Sequence, residues 1–288
     1  MPLTYQKAIQ GELVIIGKEP DGDSLRFRAD DPANFDDLYR GWRIKPADDG
    51  SVQLRLEGID APETHYGKAA QPRGDDARDH LLDLCGFANP KFFGNKVTDA
   101  TPNTIPAIIL TEAAETHGRP ISYLLVGAAM AGLNDGQATA VDADLLRKTI
   151  NYQLLELGTA YPLLYTSMPA AHRAVFRMAA ANARSHTRGV WADDRSGAFV
   201  LRTQEDISPG PEGQLIFPKL FRRATDFLKE VGESAVGADL RDWLEAHGGE
   251  NDLTLFHGAE IPFSTLIAHE NATVRLQADL LDLVFVEK

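Results

Sequence analysis

The chain has 288 residues, 43% hydrophobic and 25% charged, the balance of an ordinary globular protein able to bury a sizeable core. A net charge of -13 argues against a coat protein that binds nucleic acid through many phosphate contacts. The one cysteine, Cys85, excludes an internal disulfide or a cysteine metal cluster. The longest apolar run, Tyr123 to Met130, is far too short to cross a bilayer. The opening MPLTYQKAIQ has no apolar core of a signal peptide, so a cytoplasmic address is expected, with a secreted mature form left open.

In chain order, Glu12 to Gly17 and Ser24 to Arg28 read as strands joined by the turn Glu19-Pro20-Asp21-Gly22. Residues 29–50 are polar and rich in aspartate, with Phe35, Tyr39 and Trp42 among them. They read as an insertion, able to form a lid or rim, whose acids would repel a polyanion. From Ser51 to Ile59, Val52, Leu54 and Leu56 alternate with Gln53, Arg55 and Glu57, the period of a half-buried strand. A short helix fits Asp75 to Leu84. Strands fit Ile105 to Thr111 and Ile121 to Val126, around the turn His117-Gly118-Arg119-Pro120. Leu145 to Leu157 reads as one amphipathic helix closed by Gly158, and Ala170 to Arg184 as another. Residues 197–213, with two prolines and three glycines, read as a linker. Beyond it come helices at Lys219 to Val231 and Ala238 to His247, then strand-like pieces near Leu253 to Phe256 and Thr273 to Val286. The acidity is uneven: residues 1–195 carry 21 Lys+Arg against 26 Asp+Glu, a net -5, and residues 196–288 carry 8 against 16, a net -8.

Three pieces carry chemistry. They are the carboxylate-rich turn Asp21-Gly22-Asp23-Ser24, the segment running from Arg55 through Asp60-Ala61-Pro62-Glu63-Thr64, and the turn Gly118-Arg119. Singly, each has an ordinary explanation: a hairpin turn, a helix entry capped by Asp60, a solvated arginine. Together, in order, they resemble the staphylococcal-nuclease-like (thermonuclease) family. That family carries Asp-Gly-Asp-Thr, then Arg, four residues, Asp, any residue, Pro-Glu-Thr, and later Gly-Arg before a strand. Ser24 replaces the threonine. Gly189-Val190-Trp191 extends the likeness to about residue 194, leaving the last third unexplained.

The last third reads from its own residues as a linker at 196–213 and a smaller C-terminal α+β domain at 214–288. The resemblance itself implies a mixed α+β fold with a five-stranded OB-type β-barrel and packed helices over residues 1–195. It implies a calcium-dependent nuclease cutting DNA and RNA, with single strands preferred and 3′-phosphate ends left. Asp23, Asp60 and the Ala61 carbonyl are the expected Ca²⁺ ligands; they are hard oxygen donors, and the absence of His or Cys favours calcium over zinc. Arg55, Glu63 and Arg119 are the expected catalytic groups, the arginines because a planar fork matches phosphate oxygens. Glu63 orients the attacking water or acts as its base, which a sequence cannot separate. Asp21 is as readily a turn residue as part of the metal field. His117, where the family commonly has Tyr, and Tyr165 are candidate substrate contacts. Tyr165 is equally a core or rim residue. The basic run His172, Arg173, Arg177, Arg184, His186 and Arg188 is a solvated face or a steering patch. The acidic C-terminal domain is a candidate for a protein partner or self-association. The other class of function is a non-catalytic nucleic-acid or protein interaction module on the same barrel, and a third reading has the barrel acting on a small nucleotide or cyclic phosphodiester.

Overall fold

The computed structural model describes residues 4–232, 237–249 and 251–287. These fall into two compact units: Met1–Glu57 with Arg78–Leu154, and Gly58–Ala77 with Leu155–Lys288.

The first unit is a barrel-like sheet. Its hydrogen-bonded order is Val52–Gln53, Arg26–Ala29, Thr4–Val14, Thr104–Ala114, Pro120–Val126 and Arg55–Leu56. The two ends of that order are separated in sequence by Leu54 alone, whose N–H donates to the Leu25 carbonyl at 2.8 Å. A sheet whose first and last strands are one continuous run has to curl round and meet itself. With 52–56 counted once, five strands make the barrel, and only the Arg55–Leu56 pairing with Pro120–Val126 is parallel. This is the expected OB-type arrangement. Leu54, Leu56, Ile9, Leu13, Phe27, Ile109 and Leu124 fill the interior, all under 2% exposed.

Three local features depart from the sequence reading. The first strand starts at Thr4 because its leading residues pair with Ala138–Val141, a strand whose alanines and threonine give little periodic signal. A hairpin, Ala88–Phe93 with Lys96–Thr101, follows the Gly74–Cys85 helix, its pattern obscured by register shifts. The single helix expected from Leu145 to Leu157 is two, Ala143–Leu146 and Ile150–Leu157. Between them Thr149 is buried; its hydroxyl donates to Leu146 O at 2.7 Å and accepts from Tyr152 N–H at 3.2 Å, giving the chain a local alternative to the helical ladder.

The insertion folds into two short 3₁₀ turns, Pro32–Phe35 and Gly41–Arg43, and several of its acids are spoken for. Asp37 pairs with Lys7 at 2.7 Å, Asp49 with Lys18 at 2.7 Å, and Asp31 caps Ala33. The hydrogen bonds of Lys18 and Ser51, against the opposing effect of burial, hold the Asp49 carboxyl far below its ordinary value. A depressed carboxyl stabilises the fold fully above its unfolded value of about 3.9 and loses that contribution as pH falls through the folded value. Asp49→Asn is therefore expected to lower the urea midpoint at pH 7, with the gap to wild type shrinking at pH 3. A gap as large at pH 3 as at pH 7 contradicts the linkage.

The second unit is built on the helices Ala170–Ser185, Pro218–Val231 and Leu240–Ala246 and on small antiparallel sheets. Phe217, Phe221, Phe227, Phe263 and Phe285 are its buried aromatic core, with Phe263 and Phe285 edge to face at 5.5 Å. Stretch 197–213, read as a linker, carries the strand Phe199–Val200, paired with Thr273–Leu276, and buries Leu201 and Ile207. Pro218 starts the Pro218–Val231 helix, where a missing N–H costs nothing, and Gly232 follows its end. Leu220, Phe221, Ala224, Phe227 and Leu228 lie on one face and are buried. Lys219, Arg222, Arg223 and Asp226, at the same helical spacing, form a second, polar stripe. Among the described residues no helix is long and apolar enough to cross a membrane.

Candidate functional site

In the first unit the expected residues come together at the barrel's parallel seam. The Asp21 carboxylate accepts from Gly22 N–H at 2.8 Å, the behaviour of a turn residue. Asp23 follows, and its carbonyl accepts from Leu56 N–H at 3.3 Å, which sets the turn beside Arg55. Arg55 lies opposite Ile121, two residues beyond Arg119. The seam is short, and buried Asn151 supplies what it lacks: Nδ2 donates to the Glu57 and Ser122 carbonyls at 3.0 Å each, while Oδ1 accepts from Leu124 N–H at 2.9 Å. The sequence shows Asn151 only as a helix residue. Its role comes from three backbone groups that no pattern announces.

Arg119 sits on a tight turn. Gly118 has φ +84° and lies so near Arg43 that a Cβ would be 2.2 Å from the Arg43 carbonyl oxygen, so glycine is required for both reasons. Glu115 accepts from the Arg119 backbone N–H at 3.2 Å and from its Nε at 3.1 Å. Burial would raise the Glu115 carboxyl, but the hydrogen bond and charge of Arg119 outweigh it and hold Glu115 below its ordinary value. This side-chain bond fixes the guanidinium through Nε and, among the described residues, engages neither Nη group of a side chain that is 38% exposed. His117 is exposed on the same turn. Next to it stands the insertion: Arg43 donates to the Thr116 carbonyl at 3.0 Å, and its guanidinium lies 4.4 Å from the Trp42 ring centroid. Arg40 lies 5.1 Å from Tyr39.

Asp60, Ala61, Glu63 and Tyr165 belong to the second unit. Gly58, with φ +78°, passes so close to Phe176 that a Cβ would meet its ring at 2.5 Å, and Ile59–Asp60 then pairs with Tyr161–Pro162. Ala61 is buried. Glu63 is held by Gln71, whose side chain accepts from Glu63 N–H at 3.2 Å and whose own N–H donates to Glu63 O at 2.9 Å. Gln71 Nε2 in turn donates to the Ile216 carbonyl at 2.8 Å. The Tyr165 ring packs 6.0 Å from Phe285, and its hydroxyl accepts from Lys219 Nζ at 3.4 Å, so the ring is engaged inside its own unit. The basic run of the Ala170–Ser185 helix is likewise spent internally. Arg173 and Arg188 donate to backbone carbonyls, Arg184 grips Asp279 at 2.6 and 2.9 Å, and His172 is buried.

The residue missed by sequence reasoning is Arg222. Its two Nη groups meet the two Asp60 oxygens at 3.0 Å each, a fork-on-fork pair, and Nη1 also donates to Glu63. The Asp60 side chain is 3% exposed and Glu63 14%. Burial works against the guanidinium charge, but Asp60 and Glu63 overcome it and keep Arg222 protonated. The rest of the polar stripe has acidic or phenolic partners too. Lys219 and Arg223 reach Asp252 at 3.0 and 2.9 Å, and Asp226 accepts from the Tyr66 hydroxyl at 2.7 Å. The only sequence signal for this is the spacing 219, 222, 223, 226, which any solvated helix face can show.

A calcium site at Asp60 fits the chemistry of the donors but not their engagement. With Arg222 in place both carboxylate oxygens are already taken by a cation, and the set does not accommodate the ion. Among the described residues, no group of three or more His, Cys, Asp or Glu is placed to hold a metal.

Residues 53–193 match the family described as staphylococcal nuclease homologue. The match begins at Gln53, so Asp23 lies outside it and is tied to the pattern by its bond to Leu56. No curated protein matches the chain.

Proposed function

Since residues 53–193 match the staphylococcal nuclease homologue family, we propose that the chain is a nuclease-type phosphodiesterase acting on DNA or RNA, with single strands preferred and 3′-phosphate ends left. What supports this reading is the seam in the first unit, where the Asp23 turn and Arg55 are backbone neighbours, Arg55 pairs with Ile121, two residues beyond Arg119, and Glu115 holds the Arg119 guanidinium through Nε. Hydrolysis builds negative charge on the equatorial phosphate oxygens, and guanidinium donors fixed in advance stabilise that charge without reorganising. Arg119, steadied through Nε, offers its Nη groups to those oxygens, and Arg55 serves the same anion. Glu63, the third expected catalytic group, lies in the second unit with its carboxylate held by Arg222. Base contacts come from the insertion, where Tyr39 and Trp42 are 67% and 69% exposed.

Trp191 and Trp243 are each 9% exposed, so Trp42 dominates any solvent-sensitive emission. Adding a single-stranded oligonucleotide is expected to quench that emission, and Trp42→Ala to weaken binding about tenfold, within the span of one lost base stack. Unchanged emission at saturating oligonucleotide, or quenching as strong with an abasic strand, removes the stacking contact.

One feature favours a second reading, a binding module without catalysis: Arg222 holds the two carboxylates that hydrolysis needs. Digestion of single-stranded DNA and RNA with Ca²⁺, Mg²⁺ or chelator, by wild type and by Arg222→Lys, separates the two. Metal-dependent cleavage to 3′-phosphate ends by either protein supports the nuclease. No cleavage by both, with intact strands retained in a gel shift, supports the module.

A further inference from the structure

We infer that Arg222 is a built-in cation that stands in for the divalent ion at Asp60, so that guanidinium and calcium compete for one carboxylate. The inference deepens the nuclease reading, because it rests on Asp60 being the metal-side carboxylate of the family pattern. Its geometry is independent of that reading. A carboxylate held this deep needs a positive partner, and Arg222 supplies it in the form a metal would otherwise take: two oxygens of Asp60 engaged symmetrically at 3.0 Å, with Glu63 drawn onto the same charge. Both acids lie on the segment that Gln71 fixes, and Arg222 projects from the Pro218–Val231 helix, which is seated by Phe221, Phe227 and Leu228. The cation is therefore delivered by a packed element of the same unit. Its presence makes the carboxylate pair electrically satisfied, and a divalent ion gains Asp60 only as the guanidinium leaves.

The control this implies is a latch. Whatever draws Arg222 off Asp60, whether a phosphate offered to its guanidinium or a shift of the helix, frees the ligand and Glu63 together. A phosphate-bearing substrate is a natural competitor, because the same fork that fits a carboxylate fits a phosphate.

The test reads metal binding and thermal unfolding, not hydrolysis, so it can fail without the nuclease reading failing, and the reverse. Arg222→Met keeps the side-chain volume and removes the charge. Its Tm is expected to be lower than wild type without metal and to rise with Ca²⁺, while wild type hardly responds. By calorimetry the variant is expected to bind Ca²⁺ at least tenfold more tightly than wild type, and adding Asp60→Asn is expected to abolish the gain. Should Arg222→Met fail to fold even with Ca²⁺, Arg222→Lys decides. One ammonium cannot span both Asp60 oxygens as a fork does, so this variant is expected to bind Ca²⁺ more tightly than wild type. Equal Ca²⁺ affinity in wild type and the folded variant, or a gain that survives Asp60→Asn, overturns the inference.

Discussion

Arg222→Ala is expected to destabilise the second unit by about 3–5 kcal/mol, read as a fall in its urea midpoint at pH 7. Ion pairs on a protein surface are worth about 0–1 kcal/mol, because water screens the charges and long side chains lose freedom. Asp60 is not in that class. Its side chain is 3% exposed, and without Arg222 its carboxylate would lose both bonds of the fork while Glu63, which shares the same guanidinium, adds a like charge. The large value measures that uncompensated burial, not the strength of the pair. Neutralising the acid should thus recover much of the loss, and Arg222→Ala with Asp60→Asn is expected to be more stable than Arg222→Ala alone. A single-variant loss below about 1 kcal/mol would put the contact among the solvent-screened pairs.

For activity the largest effect is expected at Arg119. Arg119→Ala should lower the hydrolytic rate by about 10²–10³-fold, the usual consequence of deleting one pre-aimed donor to the transition-state charge. It also strands Glu115, whose side chain is 5% exposed, at a cost in stability of about 1–3 kcal/mol. Loss of rate could then be confused with loss of fold. Arg119→Lys removes the ambiguity: it keeps a charge beside Glu115 and loses the planar fork. It is expected to melt near wild type yet remain at least tenfold slow. A lysine variant as fast as wild type would show that charge alone suffices and that the fork has no part in the reaction.

What the sequence makes legible are the features whose causes are local. The run 52–56 alternates because one face enters the barrel, and the structure buries Val52, Leu54 and Leu56 as the period requires. The turns that position Asp23 and Arg119 are written in Asp, Gly and Pro, although the structure closes them at 21–24 and 115–118 and not at the expected 19–22 and 117–120. Features with distant causes stay hidden. Arg222 stands 162 residues from Asp60 and 159 from Glu63, and an Arg-Arg pair on an amphipathic helix looks the same whether it meets water or a buried acid. Asn151 and Thr149 are similar cases: one closes a seam through three main-chain groups, the other interrupts a helix that periodicity draws as continuous. Stretch 197–213 misleads for another reason. Its prolines and glycines sit at 197 and 209–213, while the intervening Phe199, Leu201 and Ile207 are buried.

The ownership of residues 58–77 has a practical consequence. This short segment holds Asp60 and Glu63 but is packed with the chain beyond Leu155: Gln71 needs the Ile216 carbonyl, Tyr66 needs Asp226, and Asp60 needs Arg222. All three partners lie past residue 193, where the family likeness stops. Trimming the protein to its recognisable portion would thus strip the acidic loop of its anchors, and a truncated version that proved inert would say nothing about the intact molecule.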